Sequence, residues 1–281
     1  MSASDDDLSP VRTIEVTRLS AHGRVHVSDL AAAEEPLEIR LHGRRYAVIM
    51  RTPGADRALA AGFLLSERVI HSGDDIGAVE HCRHPDRREA HHVVDVFLTG
   101  AAAARAAEAV DGVRHLVANS ACGVCGRATI DDLRRDLEPI AGAAAIDLDL
   151  VRSLTPRLRA TQAAFDETGG LHGAAIFAAS GELLTSAEDV GRHNAVDKTI
   201  GQLLLADASP TEPPAALVVS GRVAFEIVQK AWLARIPVLV AVSAPTTLAI
   251  DLAREAGITL IGFARGDSLN IYTHEARIRG V

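Results

Sequence analysis

Cys122 and Cys125 stand as C-x-x-C in the stretch NSACGVCGR, with Gly123 and Gly126 beside them. They are two of only three cysteines in 281 residues. A close thiol pair can hold a metal, close a disulfide or present a sulfur nucleophile. Structural zinc takes four ligands, and catalytic zinc three with a water; one C-x-x-C leaves His or Asp to complete either set. A zinc nucleoside deaminase carries H-x-E and then, downstream, P-C-x-x-C. Here His172 has no glutamate two residues on, and the cysteine pair lies upstream with no proline before it. A thioredoxin-like pair belongs to a small βαβ fold, which suits neither the glycines nor the length of this chain, although a regulatory disulfide stays open. A sulfur nucleophile fits best. The thiolate is the reactive form, favoured by Arg127 and by the N-terminus of a helix that Thr129 would cap. The glycines permit a swinging loop, and the second thiol can attack a persulfide formed on the first.

A second set of candidates lies where apolar runs stop. ALVVS leads into Ser220, Gly221 and Arg222; VLVAVS into Ser243 and Thr246; ITLIG into Phe263, Ala264, Arg265, Gly266, Asp267 and Ser268. Ligands of open α/β sheets bind at the carboxyl ends of strands. Helix N-termini there suit anionic oxygens, and arginines can add bidentate contacts. An anion pocket for phosphates is one reading; ordinary turn and cap chemistry is the other. Neither a P-loop nor G-x-G-x-x-G is present. EDVGRHNAVDK, residues 188–198, crowds Glu188, Asp189, Arg192, His193, Asn194, Asp197 and Lys198 at the start of a helix. A solvated face with i,i+4 pairs would explain it, but acids before the helix and Arg and His in its first turn suit a site. HCRH (81–84) with His91 and His92 reads as a solvent loop between strands, not a metal cluster.

These groups need a scaffold. VRTIEVTRL alternates as a strand, PLEIRLHGRRYAVIMRT reads as a hairpin, DRALAAGFLLSERV as a helix begun at Pro53 and Asp56, and HHVVDVFLT as another strand. The segment DLDLVRSLTPRLRATQAAFDETGG reads as one long helix stopped by Gly169 and Gly170, with Pro156 kinking it or marking its true start. Beyond residue 172 a hairpin, the helix GRHNAVDKTIGQLLLAD and alternating apolar runs and helices follow, as in a parallel sheet covered on both faces. The expected organisation is a tail over 1–10, an α+β domain over 11–118, a Gly-rich loop and linker helix over 119–149, and a three-layer α/β domain over 150–281. A hydrophobic fraction of 48% gives a globular chain, and aromatics at 3% leave its core to Ala, Val, Leu and Ile. The net charge of −8 speaks against nucleic acid as a partner. The acidic start is no signal peptide, and no apolar run is long enough to span a bilayer, so a cytoplasmic protein with reduced thiols is expected.

SACGVCGRATI, TGGLHGAAIF, SAEDVGRHNAVDKTIG and the run from SGRVAFEIVQ to GDSLNIYT together closely resemble the formate dehydrogenase accessory sulfurtransferase family, FdhD, from about residue 12 to the C-terminus. The resemblance implies a cytidine deaminase-like main domain without that fold's zinc set. It implies a sulfurtransferase that accepts persulfide sulfur from a cysteine desulfurase. The sulfur passes to the molybdenum of the bis-molybdopterin guanine dinucleotide cofactor, which formate dehydrogenase requires. Cys122 matches the family's persulfide cysteine, Cys125 its companion, and Phe263 to Ser268 its cofactor-binding stretch. Ser220, Arg222, Ser243, Thr246, Arg192, His193, Lys198 and His172 complete the expected cofactor-binding set. A guanine nucleotide such as GDP should act as a mimic of the cofactor, and a homodimer is expected. The alternative is a non-catalytic molybdenum-cofactor chaperone whose cysteines form a redox latch.

Overall fold

In a computed structural model, residues 9–82, 90–111, 116–118, 138–142, 145–207 and 210–280 are described. The apolar runs of the C-terminal half become a six-stranded mixed sheet, ordered β10-β9-β11-β12-β13-β14. Its strands are β9 (His172–Ala178), β10 (Leu183–Asp189), β11 (Pro214–Val219), β12 (Val238–Ala241), β13 (Thr259–Arg265) and β14 (Ser268–Ile271). The central pairs β11–β12 and β12–β13 are parallel, while β10–β9, β9–β11 and β13–β14 are antiparallel. Side chains alternate across a strand, so each strand supplies two cores. Ala174, Ile176, Leu217, Val219 and Leu239 belong to one; Ala175, Phe177, Ala216, Val218 and Val240 belong to the other.

Helix α3 (Leu148–Arg159) covers the second face with Val151, Leu154 and Leu158. Helices α5 (Arg192–Leu204), α6 (Phe225–Leu233) and α7 (Thr247–Glu255) cover the first. The C-terminal half thus has three layers. The expected long helix is two: α3 ends at Arg159 and a short α4 runs Ala163–Thr168. The break has a distant cause. Glu188, at the end of β10, accepts the amides of Ala164 (2.9 Å) and Phe165 (2.8 Å), satisfying the donors that open α4. Gly169, at φ 66°, closes α4.

The first third forms a five-stranded sheet, ordered β5-β6-β3-β4-β7. Its strands are β3 (Glu35–Leu41), β4 (Arg44–Arg51), β5 (Ile76–His81), β6 (Val93–Leu98) and β7 (Leu116–Ala118). Helix α1 (Asp56–Ser66) lies between this sheet and α5, and α2 (Gly100–Asp111) packs against β4 and β6. Strands β1 (Val11–Ser20) and β2 (Gly23–Ala32) form a separate, largely exposed antiparallel ribbon. One core, running from Leu37 and Ile39 through Leu59 and Leu64 to Val196, Ile227 and Leu252, joins the two halves. The stretch expected as linker joins it too: Ile140 is buried there, and β8 (Ile146–Asp147) pairs in parallel with β15 (Ile278–Arg279) near the C-terminus. Among the described residues no helix is long and apolar enough to cross a membrane.

Candidate functional site

Because β10 and β9 run antiparallel, as do β9 and β11, while β11, β12 and β13 run parallel, strands β10, β11, β12 and β13 all end at one edge of the six-stranded sheet. β9 begins there. This edge gathers most of the expected residues. His172 opens β9, opposite Asp189 at the end of β10. Ser220 follows β11: its amide donates to the Gly173 carbonyl (3.0 Å), and its Oγ accepts the Gly173 amide (2.9 Å). At Gly221 a Cβ would lie 3.4 Å from His172 Nδ1 and 3.6 Å from Arg192 Cδ, so His172, Arg192 and the β11 exit share one spot.

His172 is half-buried, and its pKa is lowered below the ordinary 6.5. Burial is the main cause; the cations Arg192 and Arg222 add to it, and Asp189 opposes. The imidazole is therefore neutral at physiological pH, with one ring nitrogen a donor and the other an acceptor. Arg222 itself is exposed at the same edge.

The neighbouring exits are tied together by backbone. The Phe263 amide donates to the Ser243 carbonyl (3.1 Å), and Arg265 Nε donates to the Val242 carbonyl (2.9 Å). Phe263 is exposed at 41% and sits at φ 52°, a left-handed conformation uncommon for a non-glycine residue. Gly266 turns the chain at φ 55° before Ser268 opens β14. Arg265, Asp267 and Ser268 line an open cleft of about 980 Å³ with Arg152 of α3 and Tyr272. Ala264 points the other way and is buried in the core beneath α3. Thr246 caps α7, its hydroxyl accepting the Ala249 amide.

The polar cluster at 188–198 divides. Arg192 stays at the edge. His193 is buried at 5% exposure in the first turn of α5. Lys198 is 2% exposed, and its Nζ lies 2.7 Å from both Asp189 Oδ2 and the Thr52 carbonyl. Asp189 also accepts the amides of Thr52 and Gly191 and the Asn194 side chain, which in turn reaches the Met50 carbonyl. Asp197 holds Lys230 and Ser66. Burial raises its pKa against the pull of Lys230. Lys198, Asn194 and Asp197 thus tie α5 to β4, α1 and α6, and Lys198 meets the end of β10 buried against Asp189.

Strand ends and polar motifs did not point to a second cavity at this edge. It holds about 390 Å³, between α3, α4 and the exits of β11 and β12, and includes His172 and Ser220. Thr155, Arg159 and Gln162 line it. With Leu148 and Arg152 of the larger cleft, Thr155 and Arg159 follow a spacing of four, three and four along α3, one helical stripe. That periodicity was the available signal, hidden among apolar positions of the same helix. Cys122 and Cys125 lie outside the described residues, as does the Thr129 helix start. Of the expected loop with its histidines, His81 ends β5, Cys82 follows as a free thiol, residues 83–89 fall outside the described residues, and His91 and His92 lie in a short 3-10 turn before β6. Among the described residues, no group of three or more His, Cys, Asp or Glu could hold a metal.

Comparison with known proteins places this arrangement. The chain is 46% identical over 257 residues to the sulfur carrier protein FdhD of Anaeromyxobacter dehalogenans (strain 2CP-C), covering 90% of this chain and 89% of that one. It is 44% identical over 270 residues to the sulfur carrier protein FdhD of Nocardia farcinica (strain IFM 10152), covering 95% and 94%. The crystal structure of a proposed formate dehydrogenase accessory protein from Desulfotalea psychrophila superposes with a TM-score of 0.75 at 23% identity, over 96% of this chain and all of that one. The FdhD/NarQ family description matches residues 32–279, so both sheets and the edge they support fall within the match: the chain belongs to the FdhD/NarQ family.

Proposed function

We propose that this protein is a cytoplasmic sulfur carrier that loads sulfur on Cys122 and delivers it to a molybdenum cofactor for formate dehydrogenase. Cys122, as thiolate, attacks the sulfane sulfur of a cysteine desulfurase persulfide. The desulfurase leaves as its thiolate, and Cys122 becomes a persulfide. The substrate that receives the sulfur is the bis-molybdopterin guanine dinucleotide cofactor, held at the edge formed by β10 to β13. Cys125 stands by to resolve or protect the persulfide. The same reading takes the three-layer half as cytidine deaminase-like and the working unit as a homodimer.

The observation that carries this reading is local charge. A chain of net charge −8 gathers Arg192 and Arg222 around a neutral His172, with Arg265 two strands away, at the one sheet edge where strand exits converge. A pocket need only be positive where the anion sits. Phosphate oxygens would meet the arginines, and the exposed Phe263 offers a face for a flat ring. The family relationship supports the sulfur step, since the named relatives are sulfur carriers.

Mass spectrometry after incubation with a desulfurase and cysteine tests it. The expected result is a gain of one sulfur on the tryptic peptide that holds Cys122, absent in Cys122→Ala. Formate dehydrogenase produced beside Cys122→Ala should carry cofactor and lack activity. An unmodified peptide, or full enzyme activity with the variant, overturns the proposal.

A further inference from the structure

Strands β1 and β2 belong to neither large sheet. Each has 10 residues, so their ribbon extends about 33 Å, and among the described residues neither strand pairs with a third. A two-stranded ribbon alone in water is marginally stable, so this one gains from a cover. Four of the eight large hydrophobic residues exposed among the described residues lie here: Ile14, Leu19, Val25 and Leu30. The register separates two faces. Val16 pairs with Val27, Ile14 with Asp29 and Arg18 with Val25, and alternation puts these six on one side. The other side is polar and occupied within the ribbon: Ser28 Oγ donates to Glu15 (2.6 Å), and Thr17 Oγ1 lies 3.2 Å from His26 Nδ1. On the apolar side, Arg18 reaches Asp29 (3.4 Å) and Arg12 pairs with Glu35. What stays open there is an apolar strip, with Ile14 43% and Val25 53% exposed and Val16 and Val27 between them.

We propose that this strip is the contact with a second copy of the chain, the two ribbons packed face to face about a two-fold axis at the Val16–Val27 pair. The inference deepens the reading above, on which it rests only for the homodimer, by naming the surface that forms it. Charge selects the occupant. From Val16 to Ser28 the ribbon carries Arg18, His22, Arg24 and His26 and no acid, whereas Asp29 and Glu34 stand at its root. An axis across the strands lays the basic outer end of each ribbon over the acidic root of the other, and brings Arg18 of one copy to the Asp29 row of the other. A face with an apolar centre and opposite charges at its two ends is complementary to itself, as an isologous interface requires. Size agrees: each copy gives a ribbon of two 10-residue strands, within reach of the roughly 20 to 30 residues that a stable interface takes from each side. The ribbon is rooted beside the strand-exit edge, because Ala32 Cβ lies 3.2 Å from the place of a Cβ on Gly170, two residues before His172. Pairing of the ribbons therefore holds two such edges in one particle.

Sedimentation equilibrium of the full chain tests this. The unmodified protein should have the mass of two copies. Val16→Glu sets carboxylates against each other at the axis and should raise the dissociation constant at least about 30-fold, the weight of a central interface residue. Trp232 is buried in the shared core, so an unchanged fluorescence spectrum shows that the variant is folded. Leu183→Glu and Leu248→Glu, at hydrophobic residues 39% and 40% exposed off the ribbon, should leave the dimer intact. Val16→Cys, at the axis, should cross-link two copies through its own peptide on oxidation with diamide, and Thr17→Cys, on the polar face, should not. A dimer that persists in Val16→Glu, equal dissociation by Leu183→Glu, or equal cross-linking at 16 and 17 overturns the ribbon assignment. A monomeric unmodified chain overturns it too and removes the homodimer from the reading above; loss of desulfurase or formate dehydrogenase binding in Val16→Glu would then give the strip to that partner. Sulfur loading of Cys122 is read separately: its absence from an unmodified dimer sinks the sulfur-carrier reading and leaves the ribbon contact standing.

Discussion

His172, His81 and His92 each sit where burial lowers the pKa below 6.5. Their effect on stability has a definite sign. Below pH 6.5 the unfolded chain takes up protons that the folded chain refuses, so folding weakens as pH falls from there toward each lowered value. Above 6.5 both states are neutral and the effect vanishes. The urea midpoint should therefore be lower at pH 5.5 than at pH 7.5, and His172→Gln should shrink that drop. A drop of the same size in the unmodified chain and in His172→Gln would refute the account for His172. The same residue shows how little one side chain does alone. His172 is neutral chiefly because the fold buries it; Arg192 from α5 and Arg222 from the β11 exit add to this, and neither is local in sequence. Lys198 gives the opposite lesson. A lysine in a crowded polar motif suggests an anion site, but its Nζ is spent on Asp189 and the Thr52 carbonyl. Removing one member of a buried pair leaves the other charge uncompensated, which is reason enough for this pair to persist.

Among the elements, the crossing of α1 and α5 sets the fit between the two halves. A Cβ on Gly62 would lie 2.0 Å from the Asp197 carbonyl oxygen, and one on Gly201 1.8 Å from that of Ala58. The helix backbones touch, and no side chain other than hydrogen fits between them. Gly201→Ala must push α5 away, at a cost of about 1–3 kcal/mol by overpacking. Helix propensity alone would make the same change stabilising by up to about 1 kcal/mol. Urea unfolding decides: a more stable Gly201→Ala would mean that the helices do not meet so closely. Movement of α5 carries Arg192 with it, so the variant should also weaken GDP binding. The break between α3 and α4 is a second case. Glu188, held on β10, accepts two amides of α4 and fixes the corner where Gln162 turns inward.

At the scale of the whole molecule, two sheets share one core. Expected boundaries near 118 and 150 divide the chain by composition, while burial runs unbroken from Leu37 to Leu252 through α1. Trp232, the single tryptophan, is 2% exposed in this core on the C-terminal side, and its Nε1 donates to the Glu138 carbonyl. Its fluorescence and the far-ultraviolet circular dichroism of both halves should follow one urea transition with coincident midpoints. Two separated transitions would show that the halves fold independently.

The residue order alone determined the hairpin β3–β4, the helix after Asp56, the strand–helix alternation beyond 172 and the edge where Ser220, Ser243 and Phe263 emerge. Apolar periodicity and strand ends are local properties, so they are written in the order of the chain. The family, too, was legible there, in motifs such as EDVGRHNAVDK. Tertiary structure decided where the side chains of those motifs go. It divided that motif between an edge arginine and a buried clamp, split one expected helix in two, and brought Thr155, Gln162, His172 and Ser220 around one cavity. Lys198 meets the Thr52 carbonyl 146 positions away, and Ser66 meets Asp197 across 131. Partners so distant are chosen by packing, because a buried polar group must find its hydrogen bond wherever the fold brings one.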